Sequence, residues 1–123
     1  MQGYTDFGDF LSKKRREKGI TSLQMSETVG ISPGYYCDIE KKRKAPPDRE
    51  ILEKIIKALQ FSDEDKTIFY DLAGKARSGV SPDLPEYIMG NEVVRFALRV
   101  AKEKKATPDQ WKQFIDILEK SEE

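Results

Sequence analysis

Apolar residues recur every three or four positions along most of the chain, which is the period of an α-helix. The clearest stripe lies between Asp48 and Gln60, where the leucines and isoleucines fall on one helical face. No segment alternates apolar and polar residues in the manner of a half-buried strand. The sequence therefore predicts an all-α protein.

Capping residues mark where the predicted helices begin and end. Thr21 and Gln24 have the spacing of a capping box, in which each side chain satisfies a backbone donor of the other residue. Gly30 is suited to end that helix, and Ser32 followed by Pro33 is suited to begin the next one. Together with the apolar periodicity, these signals predict helices that begin near positions 6, 21, 32, 48, 62, 85, 91 and 107.

The chain divides into two parts around the polar stretch of residues 75–85, which contains two prolines. Residues 1–74 hold five predicted helices, and residues 75–84 have the composition of a linker. Residues 85–123 hold a short helix and then two longer helices that form a predicted hairpin. This hairpin has more apolar residues than two helices can bury against each other, so we expect it to dimerise, to bind a partner protein or to dock on the first domain. The residues expected at that interface are Val94, Leu98, Trp111, Phe114, Ile115 and Leu118.

Charge is distributed unevenly although the formal net charge is zero, with 22 basic and 22 acidic residues. Residues 1–60 carry 12 basic and 9 acidic side chains, a net of +3, and residues 61–123 carry 10 and 13, a net of −3. Two basic runs, residues 13–16 and residues 41–44, lie in the first half. Because phosphates respond to local patches rather than to net charge, these runs are compatible with nucleic-acid binding.

Composition argues against several other classes of protein. The chain has no histidine, the commonest general base and metal ligand, and no carboxylate spacing typical of a metal site. Its single cysteine, Cys37, cannot form an intramolecular disulfide, and we expect it to be a small packed residue rather than a redox sensor. There is no signal peptide and no apolar run of about 20 residues. The sequence therefore predicts a cytoplasmic protein that is not an enzyme, needs no cofactor and does not bind a membrane.

Residues 19–32 hold the most informative pattern in the chain. They predict a short helix, a glycine stop at Gly30 and a second capped helix, with Ser26 small enough to let the two helices approach closely. The second helix is polar on one side and is followed by the four cations of residues 41–44. Such a helix fits a DNA major groove about 12 Å wide while the cations bind phosphates. Two helices joined by a glycine turn also occur in many helical proteins that do not bind DNA. The pattern alone therefore favours neither DNA binding nor a purely structural role.

Residues 7–60 resemble the lambda-repressor/Cro-type helix-turn-helix family, the XRE-type regulators. The matching pieces are Phe7–Leu11, Arg15-x-x-Lys18-Gly19-Ile20-Thr21, Val29-Gly30-Ile31-Ser32, Tyr35-Tyr36, Ile39-Glu40 and the basic segment before Pro46-Pro47. The resemblance covers about half of the chain, and it implies a five-helix lambda-repressor-like domain in which the helix that begins at Ser32 reads double-stranded DNA. It also implies an internal ion pair between Arg15 and Glu40, which would lock the first helix to the end of the third.

Carried over position by position, the resemblance implies which residues meet DNA. The positions near base edges or the closest phosphates are occupied by Ser32, Pro33, Gly34 and Asp38. Ser22 lies where a glutamine often binds a phosphate, and Tyr35 would reach a phosphate or a thymine methyl group. Further phosphates would be bound beside the reading helix by Lys41, Lys42, Arg43 and Lys44.

This sequence departs from the family pattern at positions that are expected to contact DNA. Pro33 and Gly34 have no side chain that can hydrogen-bond a base, so only Asp38 offers strong direct readout, by accepting from a cytosine amino group. Lys42 stands where a glycine usually follows the reading helix. We therefore expect modest sequence selectivity, with a contribution from DNA shape.

Two classes of function remain. The first is a homodimeric transcriptional repressor or mobile-element regulator, since such proteins usually bind two half-sites about 34 Å apart with two reading heads. The second is an antitoxin or adaptor whose C-terminal helices bind a partner protein such as a toxin or a peptidase. The weak base-reading chemistry and the separate apolar hairpin favour the second class, and both functions can occur in one protein.

Overall fold

The computed structural model describes residues 6–121, which fold into α-helices with no β-strand among them. The prediction of an all-α protein is confirmed. The chain forms two compact units that divide between Pro85 and Glu86. In chain order the helices are α1 (Phe7–Glu17), α2 (Ser22–Val29), α3 (Pro33–Glu40), α4 (Arg49–Leu59), α5 (Asp63–Ala76), α6 (Pro85–Met89), α7 (Glu92–Lys104) and α8 (Pro108–Lys120).

Short polar side chains begin these helices by accepting the backbone N–H groups that the first turn leaves unpaired. Both predicted capping boxes form. The Thr21 hydroxyl accepts from the Gln24 N–H at 3.1 Å, and the Gln24 side-chain oxygen accepts from the Thr21 N–H at 2.8 Å. Thr107 and Gln110 repeat the arrangement at the start of α8. The other N-caps are Asp6, Ser32, Asp48, Ser62 and Asn91.

One face of each of the first five helices builds the core of the first unit. An aromatic cluster lies at its centre, where the Phe69 ring is 4.8 Å from the Phe7 ring and 5.1 Å from the Phe61 ring between centroids. Met25 and Ile39 bring α2 and α3 onto the same core. The remaining buried apolar residues of this core are Phe10, Leu11, Val29, Tyr36, Leu52, Ile55, Leu59, Tyr70 and Ala73.

The first turn of α1 approaches the end of α3 more closely than a side chain would allow. Gly8 is buried, and a Cβ atom there would overlap the Glu40 carbonyl oxygen and lie 3.1 Å from the carbonyl carbon. Phe7 beside it is also buried against α5. The absence of a side chain at position 8 therefore allows α1 and α3 to meet at backbone distance.

Residues 77–85, most of the stretch predicted to be a linker, belong to the first unit. α5 continues two residues beyond its predicted end at Gly74. Beyond the helix, the Arg77 Nε donates to the Pro46 carbonyl at 3.0 Å, and the Gly79 N–H donates to the Gly74 carbonyl at 2.8 Å. This stretch, whose composition predicts a linker, is held by polar contacts rather than by apolar residues.

The second unit contains the two long helices predicted after residue 91, with the short α6 before them. The Arg95 side chain donates to the Ile88 carbonyl at 3.1 Å and so joins α6 to α7. In the described part of this unit, residues 86–121, no side chain is fully buried. α7 and α8 instead flank an open apolar groove of about 820 Å³.

Across residues 6–121, every helix is too short or too polar to span a lipid bilayer.

Candidate nucleic-acid interface

α2 and α3 are joined by a tight turn whose geometry is set by local hydrogen bonds. Gly30 ends α2 in the left-handed conformation, with a φ of +79°, which favours glycine. The N–H groups of Gly30 and Ile31 donate to the Ser26 carbonyl at 2.9 and 3.0 Å. Ser32 then begins α3, and its hydroxyl accepts the Tyr35 N–H at 3.1 Å.

α3 has one buried face and one exposed end. Tyr36 and Ile39 lie in the core of the first unit. Ser32, Pro33 and Gly34, which are predicted to approach DNA, are exposed at the start of the helix. Open space surrounds Gly34, where an added Cβ atom would meet nothing within 4 Å. The beginning of α3 is therefore free to contact a ligand.

The other residues predicted to meet DNA around this helix pair differ in accessibility. Ser22 is exposed as the first residue of α2. Tyr35 is half-buried because its ring packs against the edge of the core. Asp38 is also half-buried, and its carboxylate lies 3.5 Å from the Arg43 guanidinium. An arginine of the same chain thus already pairs with the side chain best suited to read a base.

The expected ion pair between Arg15 and Glu40 is present and includes a tyrosine. Arg15 Nε and Nη2 donate to the two carboxylate oxygens of Glu40 at 2.7 and 3.1 Å. The Tyr36 hydroxyl donates to the same carboxylate at 2.5 Å. Burial raises the pKa of Tyr36 and the bond to Glu40 raises it further, while the bond to Glu40 raises the pKa of Arg15. The phenol stays neutral and the arginine charged, so this network ties α1 to the end of α3.

α3 ends in a Schellman motif that has a lysine at its left-handed position. Lys42 has a φ of +68°, and its N–H donates to the Ile39 carbonyl at 3.2 Å. The Arg43 N–H donates to the Asp38 carbonyl at 2.8 Å and completes the motif. Glycine is the usual residue at this position because a Cβ atom strains the left-handed conformation. Lys42, which replaces the glycine usual in the family, therefore lies at a position where the backbone conformation favours glycine.

The cations that follow α3 have different surroundings. Lys42 Nζ lies 2.9 Å from Asp6 and 3.5 Å from Asp9 at the start of α1. Partial burial acts to raise the pKa of Asp6, but the Lys42 ammonium and the Asp9 N–H outweigh it and hold this pKa below its usual value. Lys41 and Lys44 are exposed and form no ion pair within residues 6–121. Sequence reasoning missed the two aspartates, because only packing brings the first turn of α1 to this segment.

The basic run of residues 13–16 is divided by the fold instead of forming one patch. Lys14 Nζ lies 3.3 Å from Asp65 of α5 and 5.6 Å from the centroid of the Phe10 ring. Arg15 is taken up by the pair with Glu40. Part of this run therefore stabilises contacts within the first unit.

In the second unit, most of the apolar residues predicted to form an interface line the groove between α7 and α8. Ile115, which is 50% exposed, does not line it. The groove also includes Phe96 and Val100, which the sequence analysis left out although both lie on the apolar side of α7. The predicted residues that do line it are Val94, Leu98, Trp111, Phe114 and Leu118.

The first unit offers groups that bind phosphates rather than groups that perform catalysis. Two helix N-termini with exposed serines, at Ser22 and Ser32, present backbone N–H groups and hydroxyls, and Lys41 and Lys44 present positive charge. Over residues 6–121, no cluster of acidic or cysteine side chains has the arrangement of a metal site. The arrangement suits the binding of a polyanion.

Comparison with known proteins places these features in context. The family model described as a helix-turn-helix domain matches residues 8–75. The crystal structure of ClgR, the clp gene regulator from Corynebacterium glutamicum, is 25% identical, with a TM-score of 0.47 over 86% of this chain and 88% of that chain. The complex of the SinR and SinI proteins gives 20% identity and a TM-score of 0.44 over 92% of this chain and 94% of that chain. No curated protein matches the sequence.

Proposed function

Because the chain belongs to the XRE-type helix-turn-helix family of DNA-binding transcription regulators, we propose that it is a homodimeric repressor that reads the major groove with α3. The observation that carries this proposal is the exposed start of α3, held at a fixed angle by the turn at Gly30 and by the pair of Arg15 with Glu40. An α-helix with its side chains is about 10–12 Å in diameter, which suits a major groove about 12 Å wide.

Phosphate contacts supply most of the affinity in this proposal. The Ser32 hydroxyl is already bonded to the Tyr35 N–H, and Asp38 is paired with Arg43. Direct readout of bases is therefore weak, and selectivity arises from close backbone approach at Gly34 and from DNA shape. We expect the logarithm of the affinity to fall linearly with the logarithm of salt concentration, with a slope of about −0.9 for each phosphate bound.

Gly34→Glu tests the reading helix without damaging the fold. Position 34 is open, and a carboxylate in the first turn of a helix is favourable, so we expect the melting temperature to be maintained. Against DNA the new charge faces phosphates, and we expect affinity for a palindromic site selected from random DNA to fall at least tenfold. Fluorescence anisotropy at several salt concentrations measures this.

The control for that variant is Thr67→Glu, which makes the same charge change at an exposed position of α5. It should bind DNA nearly as tightly as the unmodified chain. Equal affinity of Gly34→Glu and the unmodified chain would refute the assignment of α3 as the reading helix, and salt-independent binding would refute DNA binding through phosphates.

The second unit supports the homodimer. In α7, positions 93, 96 and 100 form one apolar stripe and positions 94, 98 and 101 form an adjacent one, so the apolar arc is wider than one neighbouring helix covers. A hairpin supplies only one. The large apolar side chains of α7 and α8 are between 39% and 74% exposed, except for the half-buried Val94.

The apolar surface that α7 and α8 expose is also large enough for a protein–protein interface. Phe96, Trp111 and Phe114 are 66%, 39% and 48% exposed, so at about 200 Å² for an aromatic side chain they alone expose roughly 300 Å² of apolar surface, to which the leucine, isoleucine and valine side chains add. Monomers seldom expose apolar patches beyond a few hundred Å², and a stable interface buries about 800 Å² on each partner. We propose that a second copy of the hairpin covers this surface, with each helix gaining its second neighbour in a four-helix bundle.

Phe114→Glu is expected to dissociate this dimer, because Phe114 lines the groove and is packed edge-to-face against Trp111. Sedimentation velocity over a range of concentrations measures the change, with an expected loss of dimer at concentrations where the unmodified chain is dimeric. Gln113→Glu is the matched control, since it adds the same charge one residue away, outside the groove. Equal dimerisation of the two variants, or a monomeric unmodified chain, would contradict the proposed interface.

The second candidate function is an adaptor or antitoxin, favoured by the open apolar groove and by the limited base-reading chemistry of α3. In that case a helix of a toxin, a peptidase or another partner protein occupies the groove. A chain that is monomeric at all concentrations and binds such a partner from an adjacent gene would favour this function. The two functions are compatible if the partner competes with dimerisation.

A further inference from the structure

We propose that Lys42 acts as a clamp that positions the basic segment, residues 41–44, and that Lys41 and Lys44 make the phosphate contacts of this segment. The inference rests on the proposed DNA-binding function and gives different roles to cations that are adjacent in sequence. Substitution of Lys42 then weakens DNA binding because the backbone of residues 41–44 changes its position. Substitution of Lys41 or Lys44 removes a phosphate contact.

The backbone of Lys42 has an unusual conformation. A residue with a Cβ atom seldom adopts a φ of +68°, and it persists there only where its surroundings fix it. Two hydrogen bonds of the Schellman motif span the residue, from the Lys42 N–H to Ile39 and from the Arg43 N–H to Asp38. The direction in which the chain leaves α3 therefore depends on position 42.

The Lys42 ammonium lies beside two carboxylates at the start of α1. One carboxylate oxygen of Asp6 accepts the Asp9 N–H at 2.9 Å and so caps α1. The other carboxylate oxygen lies 2.9 Å from Lys42 Nζ, and the Asp9 carboxylate lies 3.5 Å from it. Because the cap holds the Asp6 carboxylate in place, Lys42 is joined to a fixed point on α1.

The neighbouring cations have different surroundings from those of Lys42. If Lys42 turned to a phosphate, it would leave two carboxylates, and the phosphate would lie near their negative charge, which opposes binding. Lys41 and Lys44 are exposed and have no ion pair within the described residues, so they reach a phosphate without breaking one. Arg43 is intermediate, because it lies 3.5 Å from Asp38.

The test compares glycine and alanine at position 42. Both variants remove the ammonium, but only glycine adopts the left-handed conformation without strain. We expect Lys42→Gly to bind DNA within about twofold of the unmodified chain and Lys42→Ala to bind about fivefold more weakly, because binding must reimpose the strained backbone. Neither variant should change the salt slope. Lys41→Ala and Lys44→Ala should each reduce the slope by about 0.9.

A second measurement needs no DNA. Lys42→Ala should melt about 5 °C below Lys42→Gly. Asp6→Asn retains the N-cap but removes the charge that faces Lys42. It should lower the melting temperature of the unmodified chain and have little effect in the Lys42→Ala background.

Two results would overturn the clamp. Equal losses of affinity in Lys42→Gly and Lys42→Ala, with a slope reduced by about 0.9, would make Lys42 a phosphate contact. Unchanged affinity and melting in Lys42→Ala would leave Lys42 without a positioning role. Unchanged slopes in Lys41→Ala and Lys44→Ala would overturn the assignment of the phosphate contacts. A chain that binds no DNA would refute the proposed function, while the melting measurement would still decide whether Lys42 is a clamp.

Discussion

Gly8→Ala is expected to destabilise the first unit by about 3 kcal/mol, the upper end of the range for overpacking. The added methyl group would overlap the Glu40 carbonyl oxygen, which belongs to the backbone of α3 and cannot rotate away. α1 would have to move outward, and the contact of Phe7 with Phe69 and the bonds of Arg15 to Glu40 would loosen with it. Because small domains are stable by only about 5–15 kcal/mol, the loss is measurable by urea unfolding.

Gly34→Ala provides a matched control for this variant. Gly8 and Gly34 are each the second residue of their helix, but an added Cβ atom at Gly34 meets nothing within 4 Å. Alanine favours the helix more than glycine, so we expect Gly34→Ala to stabilise the protein by about 0.5 kcal/mol. Similar unfolding free energies for the two variants would show that the contact of α1 with α3 does not require glycine at position 8.

Glu40→Ala is expected to cost about 3 kcal/mol, since it leaves the Arg15 guanidinium and the Tyr36 hydroxyl without their shared acceptor in a largely buried place. The Arg15 and Glu40 side chains are only 14% and 10% exposed, so water replaces the carboxylate poorly. The same change should weaken DNA binding, because Glu40 joins α1 to the end of the reading helix. Chemical unfolding and anisotropy measure the two effects separately.

Glu53→Ala on α4 is the control, because the Glu53 side chain is 57% exposed and pairs with Arg49 of the same helix at 3.2 Å. A pair of this kind one helical turn apart contributes about 0.3 kcal/mol, so little change is expected. Should Glu40→Ala prove no more destabilising than Glu53→Ala, the network of Arg15, Glu40 and Tyr36 would not be what holds α1 to α3.

In the part of the first unit that is proposed to bind DNA, the helices could be predicted from the sequence, but the ion pairs of the basic segment could not. Capping and glycine signals predicted the start of α3 at Ser32, and the resemblance predicted the pair of Arg15 with Glu40 across 25 positions of the chain. The sequence pattern predicts one role, phosphate binding, for every cation of residues 41–44. Their difference depends on Asp6 and Asp9, which are remote in sequence and meet Lys42 only in the folded unit.

The sequence by itself determined the helices and the turn between α2 and α3. The bonds that begin and end these elements join residues two to five positions apart, as Thr21 with Gln24 and Ser26 with Ile31, so neighbouring residues are enough to specify them. Tertiary structure alone decided the close approach at Gly8, the docking of residues 77–85 and the partners of Lys42. These contacts join distant parts of the chain, and their partners are fixed only when apolar faces pack and place particular backbone and charged groups together.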